Sequence, residues 1–187
     1  MKSTKHLVLS ALAASSLLAL PACSGEPEAA NGEAPTQTDG TSTLASALGN
    51  IPELQTVSGA IVTAQLNTVF DGVGSYTLLA PNDDAFAALG PEGEALMSEE
   101  QKPILVGVLR DHILPGYLQP EDIEKAIDAQ GGTVTMTTLG GSEVSFERNG
   151  ETITVTRDNG ASASFVGTAV AASNGVVIPI GAVLTPQ

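Results

Sequence analysis

The sequence predicts an α+β domain, with helices in its front half and strands in its back half. Two observations carry this. Apolar residues recur at helical spacing up to about residue 130 and at alternate positions afterwards. The pairs Gly140-Gly141, Asn149-Gly150, Asn159-Gly160 and Asn174-Gly175 then divide the back half at turns.

The elements follow in order. Leu54, Val57, Ile61 and Ala64 give one apolar helix face after Asn50-Ile51-Pro52, a helix start. Ser75 to Ala80 reads as a short strand ended by Pro81, and Asn82-Asp83-Asp84 caps a brief helix through Phe86 and Leu89. Ser98 with Gln101 three residues on has the form of a capping box. Beyond Pro103, the stripe Ile104, Leu105, Val108, Leu109, His112 and Ile113 predicts a helix stopped by Pro115-Gly116. Another helix is expected from Pro120 to Gln130, with acids in its first turn and Gly131 as its C-terminal cap.

Period two begins at Thr133. Val134 and Met136 alternate with Thr133, Thr135 and Thr137, while Val144 pairs with Phe146 and Ile153 with Val155 on shared faces. Asn149-Gly150 predicts a hairpin with a type I′ turn. One strand is expected around Ala163 to Ala171. A last one, Val176 to Leu184, is so apolar that it should be covered on both faces. The strands are expected to be antiparallel.

Composition narrows the function. Seven Lys and Arg against 21 Asp and Glu, a net charge of -14, exclude a nucleic-acid binder, because phosphate binding depends on basic side chains. A single Cys excludes an internal disulfide framework. Of the two histidines, His6 lies in the leader, so His112 alone is left for acid–base or metal chemistry in a mature chain.

Residues 1–22 have the parts of an export signal: Lys2 and Lys5 at the start, an apolar stretch from Leu7 to Leu20, then small residues. Leu20-Pro21-Ala22-Cys23-Ser24 resembles the lipobox of bacterial lipoproteins. That resemblance implies cleavage before Cys23, acylation of its thiol and amine, and stable membrane anchoring. Ser24 resembles the sorting pattern for the outer membrane. The lipidated Cys23 and the segment to Ser42 hold no large apolar residue before the folded part and are expected to form a disordered tether. Its reach is on the order of 25 Å. All 21 acidic residues follow Cys23, so the mature chain, whose folded part is expected over residues 43–187, should be repelled by anionic lipid and held near it by the anchor alone.

Three stretches in order resemble the fasciclin domain family. Thr77-Leu78-Leu79-Ala80-Pro81-Asn82-Asp83-Asp84-Ala85-Phe86 is similar to its first signature. Leu109-Arg110-Asp111-His112-Ile113-Leu114-Pro115-Gly116 is similar to its central Tyr-His segment. The run from Asn174 to Pro186 is similar to its closing signature. The resemblance implies a β-wedge of antiparallel sheets with a helical layer formed mainly by the N-terminal half. It also implies a role in adhesion or extracellular contact with an envelope or matrix protein or glycan. Pro81, Asn82, Asp111, His112, Pro115 and Gly116 are the motif positions and are read as structural. Two departures are present: Asp111 stands where the family usually has Tyr, and Ile178 and Gly181 stand where it commonly has His and Asp. An integrin contact of the animal type is therefore not carried over.

No catalytic residue, metal site or cofactor is expected. Asp111 and His112 are neighbours on a helix and point about 100° apart, so they form no direct dyad. No Gly-x-Ser-x-Gly elbow supplies a nucleophile. Asp83-Asp84 and Asp158-Asn159-Gly160 lack the regularly spaced carboxylates of a calcium loop. The alternative function is carriage of an apolar small molecule such as a carotenoid-like pigment. Only six aromatic side chains are present to line a pocket for it.

Overall fold

The most apolar run of the back half becomes the centre of the fold. The computed structural model describes residues 36–38 and 40–185. The front half contains β1 (Thr36–Thr38), α1 (Leu44–Gly49), α2 (Gln55–Thr63) and α3 (Asn67–Phe70). β2 (Tyr76–Pro81), α4 (Asp83–Ala87), α5 (Pro91–Leu96) and α6 (Lys102–Asp111) follow. After β3 (Ile113–Pro115) and α7 (Pro120–Gln130) come β4 (Thr133–Thr137), β5 (Glu143–Asn149) and β6 (Thr152–Arg157). The chain then forms β7 (Ser162–Ser164), β8 (Ala169–Ala172) and β9 (Gly175–Ile180).

These strands make two sheets. A five-stranded sheet has the order β1-β8-β9-β2-β3, and a four-stranded sheet has the order β4-β5-β6-β7. Every residue of β9 is buried, as its composition requires, because helices cover one face and the second sheet covers the other. Alternation along the central strands divides the core. Leu78, Ala80 and Val177 pack with Leu44, Leu54, Ile61, Phe70, Leu105 and Leu109 on the helical side. Leu79, Val176, Ile178 and Ile180 pack with Phe146, Val155 and α7 on the side of the wedge. The sheets meet where Phe165 bridges to Ile180 and the Gly181 N–H donates to the Ser164 carbonyl at 3.0 Å.

The structure corrects several expectations. The stripe ending at Ile113 is not all helix. α6 stops at Asp111, His112 follows with φ -97° and ψ 1°, and Ile113–Pro115 pairs antiparallel with β2. Apolar period alone cannot separate a helix end from a buried strand of three residues. The expected strand over Ala163–Ala171 is two strands in different sheets, broken at a corner where Gly167 has φ 63°. β2 and β9 pair in parallel, as do β1 and β8, so the sheets are only mostly antiparallel. Asn149 pairs with Thr152, which puts Gly150 and Glu151 at the centre of the hairpin turn. Only Gly150 has positive φ, the signature of type II′ and not type I′.

Two smaller corrections concern polar groups. Ser98 makes no side-chain cap. The reaching-back carboxylate is at α7 instead, where Asp122 Oδ2 accepts the Gln119 N–H at 3.2 Å. β1 lies inside the segment expected to be a disordered tether. Three residues pair with β8, and the Ser42 carbonyl accepts both the Ser173 N–H and its hydroxyl, at 2.9 and 3.0 Å.

Candidate functional site

The motif positions fall into three places on the five-stranded sheet. Pro81 ends β2 opposite Ile180, and Asn82 caps α4 through its Oδ1, which accepts the Ala85 N–H at 2.8 Å. The next residue does different work from the one expected of it. Asp83 Oδ1 accepts the Thr56 N–H at 2.8 Å and so caps α2, not its own helix. Asn82 borders an open groove of about 450 Å³ lined also by Gln37, Pro52, Val166 and Pro179 among others, with no aromatic side chain.

Asp111 and His112 occupy the second place, the junction of α6 with the closing segment. His112 is 1% exposed, and both ring nitrogens are engaged. The Leu184 N–H donates to Nε2 at 2.9 Å, so Nδ1 carries the proton and donates to the Val108 carbonyl at 2.8 Å. Burial pushes the imidazole from its usual 6.5 down to about 4, against the raising effect of the Val108 bond and of Asp111. His112 is therefore neutral at physiological pH.

Asp111 turns the other way. Its Oδ2 pairs with Arg157 Nη2 at 2.7 Å, and its Oδ1 accepts from Ser142 Oγ at 2.9 Å and Thr138 Oγ1 at 3.4 Å. Both charged side chains are about nine-tenths buried. Arg157 also donates from Nη1 to the Leu184 carbonyl at 3.2 Å. One peptide segment is thus held from both sides, its N–H by His112 and its C=O by Arg157. Asn159 extends the clamp by donating from Nδ2 to the Thr185 carbonyl at 2.8 Å. A glycine is required beside it, because a Cβ on Gly140 would overlap Asp111 Oδ1.

Pro115 and Gly116 lie at the third place. Pro115 pairs with Tyr76, and Gly116, at φ 102°, donates its N–H to the Ser75 carbonyl at 2.9 Å. Thr77, fully buried, donates its hydroxyl to the Gly116 carbonyl and accepts the Leu118 N–H, both at 2.9 Å. Cys23, the expected lipidation position, is outside the described residues.

The sequence reading missed Arg157, Thr77 and Asn174. Arg157 had a signal: it follows Ile153 and Val155 at the same inward parity, where a charge needs a buried partner. Asn174 looked like a turn residue only, yet its Oδ1 accepts the Leu44 N–H and its Nδ2 donates to the Phe70 and Gly72 carbonyls. No local pattern announces contacts that span more than a hundred residues.

Among the described residues, no group of three or more His, Cys, Asp or Glu is placed to hold a metal ion. Apart from Arg157 Nε, which is buried without a hydrogen-bond partner 3.5 Å from Asp158 Oδ1, the site's polar side-chain atoms described above bond to the backbone and to each other, which suits a clasp between chain segments.

The fasciclin domain profile matches residues 52–186. The chain belongs to the fasciclin family. Protein sll1483 of Synechocystis sp. is 31% identical over 151 residues, covering 80% of this fasciclin chain and 76% of that protein. The transforming growth factor-beta-induced protein ig-h3 of Sus scrofa is 28% identical over 134 residues, 71% of this chain but 18% of the relative. Among solved structures, a FAS1 domain pair from the insect cell adhesion molecule fasciclin I superposes with a TM-score of 0.68 at 14% identity. The match covers 78% of this chain and 51% of that one. This chain thus spans about half of that domain pair, and the likeness establishes the fasciclin fold.

Proposed function

We propose that this fasciclin protein is a lipid-anchored module of the bacterial cell envelope, held at the outer membrane through acylated Cys23. It works by non-catalytic contact with an envelope or matrix protein or glycan in adhesion. The observation that carries the reading is family membership over residues 52–186, in a family that includes an insect cell adhesion molecule. The interior supports it. The one described imidazole has both nitrogens committed to backbone groups, and the neighbouring carboxylate is committed to Arg157. The anchor rests on Cys23, the single Cys of the chain, placed directly after Leu20-Pro21-Ala22.

The test is surface attachment of a host strain lacking the gene. Attachment is expected to drop and to return with the wild-type chain but not with Cys23→Ala, which should lose membrane partitioning. Unchanged attachment in the deletion strain contradicts the adhesive role, and membrane-bound, processed Cys23→Ala protein contradicts the anchor.

A further inference from the structure

An open groove of about 290 Å³ lies between α5 and α6. Packing fixes its α5 side. Pro91 opens that helix after a turn at Gly90, φ 56°, and a Cβ on Gly93 would come within 2.9 Å of the Phe86 carbonyl oxygen, so α5 sits directly on the end of α4. Leu96 and Val108, both buried, line the groove together with Leu89 and with Ile104, which is 52% exposed. A lone exposed isoleucine is ordinary. This one is continuous with the core, because Leu96 and Val108 belong to the helical-side cluster. The volume is at the lower limit, about 300 Å³, of cavities that hold a whole small molecule, so the groove suits side chains inserted by a partner. Its lining holds no aromatic ring on which a sugar could stack.

The surroundings are acidic. Glu92 lines the groove, Glu94 is two residues on in the same helix, and Glu99 and Glu100 immediately precede Gln101, another lining residue. All can act on a charge held in the groove, since the screening length is about 8 Å at physiological salt. The four side chains are exposed, and among the described residues none of their carboxylates has a hydrogen-bond or ion-pair partner. The eight Asp and Glu of residues 43–101 share that stretch with no Lys or Arg, and the first basic residue after Lys5 is Lys102. Residues 102–187 hold five Lys and Arg against nine Asp and Glu. The uncompensated charge is therefore greatest on the helical half, where the groove lies.

We propose that the groove between α5 and α6 is the contact site of the domain, and that its partner is a protein segment in the form of a basic amphipathic helix. Aliphatic side chains of that helix enter the groove, and its Lys or Arg meet Glu92, Glu94, Glu99 and Glu100. The inference rests on the adhesive reading and gives the partner its chemistry. The apolar anchors supply affinity, and the opposed charges supply orientation and on-rate. A second copy of this chain is a poor match: of its five basic residues after Lys5, Arg148 and Arg157 are already paired with carboxylates. The same four carboxylates repel anionic lipid.

The experiment uses the acylated full chain in zwitterionic nanodiscs, with isotope-labelled Ile, Leu and Val methyls and empty discs as the blank. The probe is a Leu/Lys amphipathic peptide of about 15 residues, long enough to form a helix, beside Leu/Glu and Ser/Lys peptides of equal length. The Leu/Lys peptide should shift the Leu89, Leu96, Ile104 and Val108 methyls, and 0.5 M salt should weaken it several-fold. Ile104→Ser should weaken binding at least tenfold and Glu92→Gln with Glu94→Gln at least fivefold. Val62→Ser, at an exposed apolar residue outside the groove lining, should stay within twofold. All these side chains are exposed, and matched melting temperatures confirm folding. No binding, shifts only at other methyls, or equal binding by Ile104→Ser overturns the groove. Equal binding by the Ser/Lys peptide does so too, because charge alone then accounts for it. Equal binding by the Leu/Glu peptide overturns the partner's charge. Groove shifts that follow chain concentration without peptide identify a second copy, and tighter binding after removal of Pro186 and Gln187 identifies the chain's own end; each overturns the partner. These outcomes are independent of whether the deletion strain loses attachment, so the groove and the adhesive reading fail separately.

Discussion

His112 holds two backbone groups 76 residues apart, the Val108 carbonyl and the Leu184 N–H, and it can do so only while neutral. Protonation would place a second proton on Nε2, facing an N–H donor. The sign follows. The folded state has its imidazole near 4 and the unfolded chain near 6.5, so the unfolded state binds more protons between these values. This contribution is complete above about pH 6.5 and is lost as pH falls toward 4, amounting to about 3 kcal/mol. Urea unfolding midpoints across that window should show the loss. In His112→Phe the group-specific slope should vanish, and stability at pH 7 should fall by about 2 kcal/mol because two backbone groups lose their partner. An unchanged slope in that variant would place the acid sensitivity elsewhere.

The same scale decides the ion pair. Asp111→Ala should cost about 3 kcal/mol, since it strands the buried Arg157 guanidinium. Asp111→Leu combined with Arg157→Met should cost less than that single change, measured by the same unfolding midpoints. A larger loss in the double variant would show that the hydrogen bonds to Ser142 and Leu184 matter more than the charges.

At the scale of elements, what was legible depended on length and local chemistry. α7 was readable because Pro120 opens it, Ile123 and Ile127 mark its buried face, and Gly131 closes it at φ 83°. β9 was readable from its unbroken apolar run. β1 and β3, three residues each, were not, because nothing inside Thr36-Gln37-Thr38 or Ile113-Leu114-Pro115 distinguishes a strand from a loop or a helix end. Their pairing is decided by β8 and β2, distant in sequence. The split between β7 and β8 was hidden for the same reason: Ala163 to Ala171 reads as one weakly apolar strand until the corner at Gly167 sends its halves to different sheets. β1 makes a measurable claim. Alternate residues of a strand turn their N–H toward the neighbour, so Thr36→Pro with Gln37→Pro removes whichever one faces β8. Of the Val170 and Ala171 amides, the one turned toward β1 should then exchange at least tenfold faster, with the one turned toward β9, and β9 itself, unchanged. Equal exchange in β8 would mean that β1 contributes no protection there.

The domain of the described residues is a wedge whose closing segment is held by contacts from distant parts of the chain. β9 fills the centre, His112 and Arg157 fasten the segment beyond it, and Asn174 ties its start to α1 and the loop after α3. The signature-like stretches contain His112, Asn174 and β9 but not Arg157, which is why the sequence disclosed the fold without its buried ion pair. This closing role implies that the interior can be altered without loss of function while the fold persists. The direct measurement is complementation of the deletion strain with His112→Phe, scored for surface attachment at a temperature where the variant is folded. Attachment restored close to the wild-type level is the expected result. A folded, anchored His112→Phe chain that leaves cells unattached would contradict it, because the buried imidazole would then be acting in the function itself.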